Sequence, residues 1–317
     1  MVLWVISGNA VCKQVSCEPT CRNSPPVCRN YISLQILLVN KFVVKTHIML
    51  LKNKTAVIYG GGGSLGGAVA RAFAREGARV FVTGYREESI KKTANEITSG
   101  GGHASYAVVN ALEKKEIEQH LAEVQKQTGS VDITFNAIDT RDVQNIPLIE
   151  MEWDDFESPV HTAMKTTFYS ATAAARLMIK QGSGVILTIT ATPAVIAYPL
   201  VGGFGPACCA VEGFMRDLGT EIGSFGVRVI NLRSAGSPDT KPFLDAIAQD
   251  PHKTATFLKE MTNDTMLKSL PMKDDIANVA VFAASPLADK ITGVTIDVTC
   301  GTTSGFNAKN IVIPFVR

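Results

Sequence analysis

From about residue 49 onward, short runs of consecutive apolar residues alternate with longer stretches in which apolar positions recur every three or four residues. The short runs predict strands at Thr55–Tyr59, Arg79–Thr83, His103–Val108, Val131–Phe135, Gly184–Ile189, Val227–Leu232 and Thr295–Val298. The longer stretches predict helices near Leu65–Glu76, Glu87–Thr98, Lys114–Gln127, Asp154–Lys180 and Ala207–Ser224. Apolar strands separated by helices imply an α/β fold: a doubly wound parallel sheet covered on both faces, in a single domain. No internal repeat of solenoid length is present.

Residues 1–48 carry no persistent period, and the Ser24-Pro25-Pro26 stretch breaks any element that starts there. They hold five basic side chains (Lys13, Arg22, Arg29, Lys41, Lys45) against Glu18 alone, and four of the seven cysteines: Cys12, Cys17, Cys21 and Cys28. Gaps of this kind lack the paired C-x-x-C knuckles of a zinc site. Val2–Ile6 is too short for the apolar stretch of a signal peptide, and Asn40 and Lys41 cut the Leu34–Val44 run. The expectation is that residues 1–48 are an extension, disordered or upstream of a native start at Met49, that residues 49–317 are the domain, and that the protein is cytoplasmic.

Net charge is +2 over 317 residues, with no basic stripe, so nothing in the composition points to nucleic acid. The apolar runs stop well short of the ~20 residues of a membrane span. The expected partner is a small molecule.

Tyr59-Gly60-Gly61-Gly62-Gly63-Ser64-Leu65-Gly66 ends the first predicted strand and opens the first helix. There, bare backbone N–H groups and the helix dipole can cradle a pyrophosphate, which makes the fold Rossmann-type. At the second strand end, Thr83-Gly84-Tyr85-Arg86 offers no acid for a ribose 2′-hydroxyl. Arg86 can pair with a 2′-phosphate and Tyr85 can lie along an adenine, so NADP(H) is favoured over NAD(H). The alternative is a solvated arginine at a helix start, with Glu87 or Glu88 capping the helix.

This arrangement resembles the short-chain dehydrogenase/reductase family over essentially all of Met49 to about Gly301. Its TGxxxGxG falls on Tyr59–Gly66, its NNAG on Phe135-Asn136-Ala137-Ile138, its helix-to-strand passage on Leu218–Ile230, and its last strand on Ile291–Val298. Ser64 stands where the second motif glycine belongs, and would either crowd the phosphates or donate a hydrogen bond. The resemblance places Asn110 beside the adenine, makes Asn136 a tie between strands, and puts Ala137 in the cofactor loop. It sets Thr240 near the nicotinamide amide or the pyrophosphate, with a plain helix cap as the alternative. It also implies a homodimer or homotetramer.

The family's catalytic asparagine, serine, tyrosine and lysine fall on Ala163, Ala191, Phe204 and Cys208, none of which can do the usual work. No second YxxxK pair is available: Tyr198 is followed four residues later by Gly202, and Tyr169 by Ala173. Tyr198 and His161 are the substitute acids in reach. Cys208 and Cys209 admit a redox reading or a packing one. None of His47, His103, His120, His161 and His252 has metal-ligand spacing. Phe243, Leu244, Phe257, Leu258, Met261 and Met266 lie where the family closes over its substrate, implying a moderately apolar ligand or simple lid packing. Two readings follow: a divergent NAD(P)(H)-dependent oxidoreductase acting on a small carbonyl, alcohol or activated alkene, or a catalytically silent dinucleotide-binding protein with a sensing or partner-binding role.

Overall fold

The computed structural model describes residues 49–305, and the expectations for residues 1–48 fall outside that range. Seven strands, β1 (Thr55–Tyr59), β2 (Arg79–Gly84), β3 (His103–Val108), β4 (Ile133–Asn136), β5 (Gly184–Ala191), β6 (Val227–Ser234) and β7 (Val294–Val298), form one sheet in the order β3-β2-β1-β4-β5-β6-β7. Every pairing is parallel. Between them run α1 (Ser64–Arg75), α2 (Glu87–Ser99), α3 (Lys114–Thr128), α4 (Trp153–Gln181), α5 (Phe204–Ile222), α6 (Lys241–Gln249), α7 (Pro251–Asn263) and α8 (Lys273–Ala284).

The period of two along each strand divides the core. Ala56 and Ile58 of β1 pack with α1, α2 and α8 on one face, while Val57 and Tyr59 pack with α3, α4 and α5 on the other. Ala68, Ala72 and Phe73 of α1 are buried, as are Ile117, Leu121 and Val124 of α3, matching the helical spacing in the sequence.

Boundaries differ from expectation in two instructive places. β4 begins at Ile133 rather than Val131, because the Asp132 carboxylate takes the Thr55 N–H at 2.8 Å and the Ser130 hydroxyl at 2.9 Å at the entry to the strand. α5 begins at Phe204 rather than Ala207. Pro206 falls in its first turn, where a missing N–H costs the helix nothing. Helices α6 and α7 carry Phe243, Leu244, Phe257, Leu258 and Met261, which the family resemblance sets over a ligand or in lid packing. No residue of α6 is buried, and of α7 only Thr254. Among the described residues, no helix is long and apolar enough to cross a membrane.

Candidate functional site

The chain leaves β1 toward β2 on one side and β4 toward β5 on the other, so a crevice opens at the carboxyl ends of β1 and β4. The glycine loop forms its floor. Gly60 has φ 75°, and a Cβ there would strike the Ala137 carbonyl, while a Cβ on Gly66 would strike the Gly60 carbonyl. The lack of side chains therefore lets backbone pack on backbone at the base of the crevice, Gly60 against the loop after β4 and Gly66 against Gly60. A cavity of about 820 Å³ opens above the loop.

Of the expected cofactor residues, Gly60, Gly62, Gly63, Tyr85, Arg86, Asn110 and Ala137 line this cavity. Asn110 spends its Oδ1 on the Leu112 N–H at 3.1 Å, and its own N–H donates to Glu116 Oε2 at 2.7 Å. Asn136, Ser64, Leu65, Gly66 and Thr240 lie outside the cavity lining. Asn136 is buried, with its Nδ2 at 3.4 Å from both Thr167 and Ser170 of α4 and its Oδ1 accepting the Ile138 N–H at 3.0 Å. It thus ties β4 to α4 and shapes the following loop.

Ser64 makes a contact that its position in the motif does not reveal. Its hydroxyl accepts the backbone N–H of Lys241 at 2.9 Å, joining the first turn of α1 to the first residue of α6. Thr240 precedes that helix, yet its hydroxyl donates to the Ser237 carbonyl at 2.7 Å instead of capping α6.

Sequence reasoning missed Ser89, Asp139, Thr140 and Arg141, and the hydroxyl wall of Ser158, Thr162 and Thr166 on α4, all of which line the cavity. Spacing on a helix face was the available signal for the last three, which recur at i, i+4 and i+8. Arg141 carried no such signal.

Away from the cavity lining, Cys208 is buried on α5 with the Ala191 backbone close by. Burial pushes its thiol up to about 12, and the nearby Glu212 charge adds to the effect. Cys208 therefore stays a neutral thiol at physiological pH. Cys209 is exposed, with its Sγ 3.1 Å from the Ala194 carbonyl. His161 faces solvent on α4, 3.4 Å from Glu157, and Tyr198 is half-buried on the loop before α5. Neither of them, nor Ala163, Ala191, Phe204 or Cys208, lines the cavity. Two segments meet beside the start of α5: the Asn145 N–H donates to the Leu200 carbonyl at 2.8 Å, and Gly202 is pressed against Val143 and Met151.

Beneath α5 lies a charged network. Arg233 on β6 donates twice to Glu212, at 2.9 and 2.6 Å, and once to Asp297 on β7 at 2.8 Å. Thr190 donates to Glu212 at 2.7 Å and accepts from Asn231 at 2.7 Å. The strand register explains the meeting, since Thr190, Arg233 and Asp297 are direct neighbours across β5, β6 and β7.

A doubly wound sheet with a glycine cradle at its switch point defines a dinucleotide-fold protein. A family model described as Enoyl-(Acyl carrier protein) reductase matches residues 61–303, and the chain belongs to the short-chain dehydrogenase/reductase family of oxidoreductases. It is 28% identical over 256 residues to an uncharacterized oxidoreductase of Thermotoga maritima, covering 81% of this chain and 100% of that one. It is 29% identical over 259 residues to 3-oxoacyl-acyl-carrier-protein reductase FabG of Chlamydia muridarum, covering 80% and 98%. Among solved structures it is similar to a gluconate 5-dehydrogenase from Burkholderia cenocepacia in complex with NADP and tartrate, with TM-score 0.72, 24% identity and coverage of 81% and 98%.

Proposed function

We propose that this chain binds NADP(H) in preference to NAD(H) and acts as a divergent oxidoreductase on a small, moderately apolar carbonyl, alcohol or activated alkene. The observation that carries the reading is the end of β2. Arg86 lines the cavity with no ion-pair partner among the described residues, and Thr83, Gly84 and Tyr85 supply no carboxylate to take a ribose 2′-hydroxyl. The glycine loop that lines the cavity fits a pyrophosphate, which the backbone N–H groups of Gly60 and Gly62 would hold, while the Gly63 N–H already donates to the Gly60 carbonyl at 3.0 Å. Asn110 would meet the base. The NADP held by the gluconate 5-dehydrogenase of similar fold supports the cofactor reading.

When bound, the nicotinamide supplies or accepts hydride. The positions that match the family's proton-transfer groups offer little proton chemistry: Phe204 exchanges no proton, Cys208 is neutral, and Ala163 and Ala191 have no side-chain donor. Hydride goes to carbon in either case, but a ketone leaves an alkoxide that needs a donor held at its oxygen, whereas an activated alkene leaves an enolate whose α-carbon can take its proton from water, which suits such a site better. The enoyl reductase named in the matching family supports an activated alkene.

A second reading is favoured by the cavity itself, which none of Ala191, Phe204 and Cys208 lines. On this reading the protein holds a dinucleotide without turnover and signals through its conformation or a partner. Calorimetric titration with NADPH and NADH, followed by NADPH oxidation with a panel of small enones and ketones, tests both. Arg86→Ala should weaken NADPH by ~1.5–3 kcal/mol, the worth of a charge-assisted hydrogen bond, while barely affecting NADH. Equal affinities for the two cofactors would overturn the preference. Tight binding with no turnover on any member of the panel would favour the second reading.

A further inference from the structure

We propose that Arg141, on the loop after β4, is a second jaw of the phosphate site at the end of β2, and that with Arg86 it selects a cofactor whose adenine ribose carries a 2′-phosphate. This rests on the reading of the cavity as a nicotinamide dinucleotide site, and adds to it a residue from a different part of the chain.

Tyr85 leaves β2 with its side chain 55% exposed. Two guanidiniums lie against its ring, that of Arg141 with Cζ 4.8 Å from the ring centre and that of Arg86 at 5.5 Å. All three residues line the same cavity, together with Ser89. Among the described residues, neither guanidinium has an ion-pair or hydrogen-bond partner. The acid closest to Arg141 on the cavity wall, Asp139, has its Oδ1 engaged by the backbone N–H of Arg141 itself at 3.1 Å.

Two like charges gathered on one ring repel each other, and the ring faces only partly offset this. What makes the arrangement favourable is a ligand bearing more than one negative charge at that spot. The forked donors of arginine fit a phosphate dianion and would find no partner on an unesterified 2′-hydroxyl. The turn that delivers Arg141 is itself specific: its φ is 53°, a left-handed backbone that carries the side chain back from the β4 loop toward β2.

The test is direct binding of NADPH, NADH, adenosine 2′,5′-bisphosphate and adenosine 5′-monophosphate to the full chain, as wild type, Arg141→Ala and Arg141→Gly. Glycine keeps the left-handed turn without the side chain, so a loss shared by both variants belongs to the guanidinium and not to a disturbed loop. Both variants should weaken NADPH and the 2′,5′-bisphosphate ~10- to 100-fold, the range of one or two charge-assisted hydrogen bonds, and leave NADH and the monophosphate within about twofold. Unchanged NADPH affinity in both variants overturns the role of Arg141 while leaving the cofactor reading standing. Equal loss of NADPH and NADH also overturns it, because the selection is then not for the 2′-phosphate. Failure of the wild type to bind either dinucleotide overturns the cofactor reading and this inference together.

Discussion

At the scale of single residues, the polar atoms that the fold has shut away are the most informative. His120 of α3 packs edge-on to Phe81, ring centres 6.3 Å apart, and its Nδ1 has no hydrogen-bond partner among the described residues. Burial pushes the imidazole down from its usual 6.5 to about 4. Between those two values the unfolded chain takes up a proton that the folded chain refuses, so stability falls as pH drops through that window. The loss should reach on the order of 2–3 kcal/mol by pH 4, beyond what carboxylate protonation contributes. Chemical denaturation of the wild type and His120→Phe from pH 7 to pH 4 measures it, and parallel curves for the two proteins would refute the assignment. The sequence showed His120 only as one of five histidines without metal spacing. Its burial follows from the neighbouring β2 strand, which no local pattern reports. Gly60 and Gly66, by contrast, were legible because their spacing is itself the requirement for close backbone approach. Arg141 was not, since its approach to Tyr85 depends on a left-handed turn in a loop that carries no glycine.

At the scale of elements, α5 is fastened to the sheet by charge as well as by packing. Glu212, Arg233 and Asp297 join a helix to two strands, and the Arg233 side chain is only 10% exposed. Removing one member leaves the other ionised and poorly solvated, which is far costlier than never having the pair. Arg233→Met should therefore lower stability by about 3 kcal/mol, and Glu212→Leu in the same chain should restore much of that loss. Urea unfolding of the single and double variants decides the matter; a near-neutral single change would show that the network contributes little. The alternation of strand and helix was readable because it rests on the periods of two and 3.6. The network was not, although Glu212 left a trace as the one charge between Phe204 and Met215. Only the register of β5, β6 and β7 brings the members together. Helix α6 shows the same limit. Its apolar residues were visible in sequence, but the bond from Ser64 to Lys241 joins residues 177 apart and belongs to tertiary structure alone.

At the scale of the whole molecule, the long helix α4 raises the question of what covers it. It runs 29 residues, about 43 Å, and packs against α5 along one side. On its outer side Phe168 is 48% exposed and sits in a ring cluster, with centres 5.6 Å from Phe214 of α5 and 6.1 Å from Tyr169. Lys165 lies 5.9 Å above the Tyr169 ring, so the patch has a charged margin around an aromatic centre. That is the anatomy of a protein contact, an apolar middle with a polar rim. A two-fold axis through it would set the same helices of two copies against each other and bury each aromatic cluster against its equivalent. Covering the exposed half of a phenylalanine in this way is worth about 1 kcal/mol per side, and a buried glutamate in its place would add the cost of desolvating a charge. We therefore expect a homodimer, or a homotetramer built from it, at micromolar concentration, and expect Phe168→Glu to shift the protein toward monomer with its fold intact. Sedimentation equilibrium on both proteins, with circular dichroism to confirm the fold of the variant, measures the shift. A wild-type monomer at those concentrations would refute the interface. An oligomer unaffected by Phe168→Glu would place the contact elsewhere on the surface.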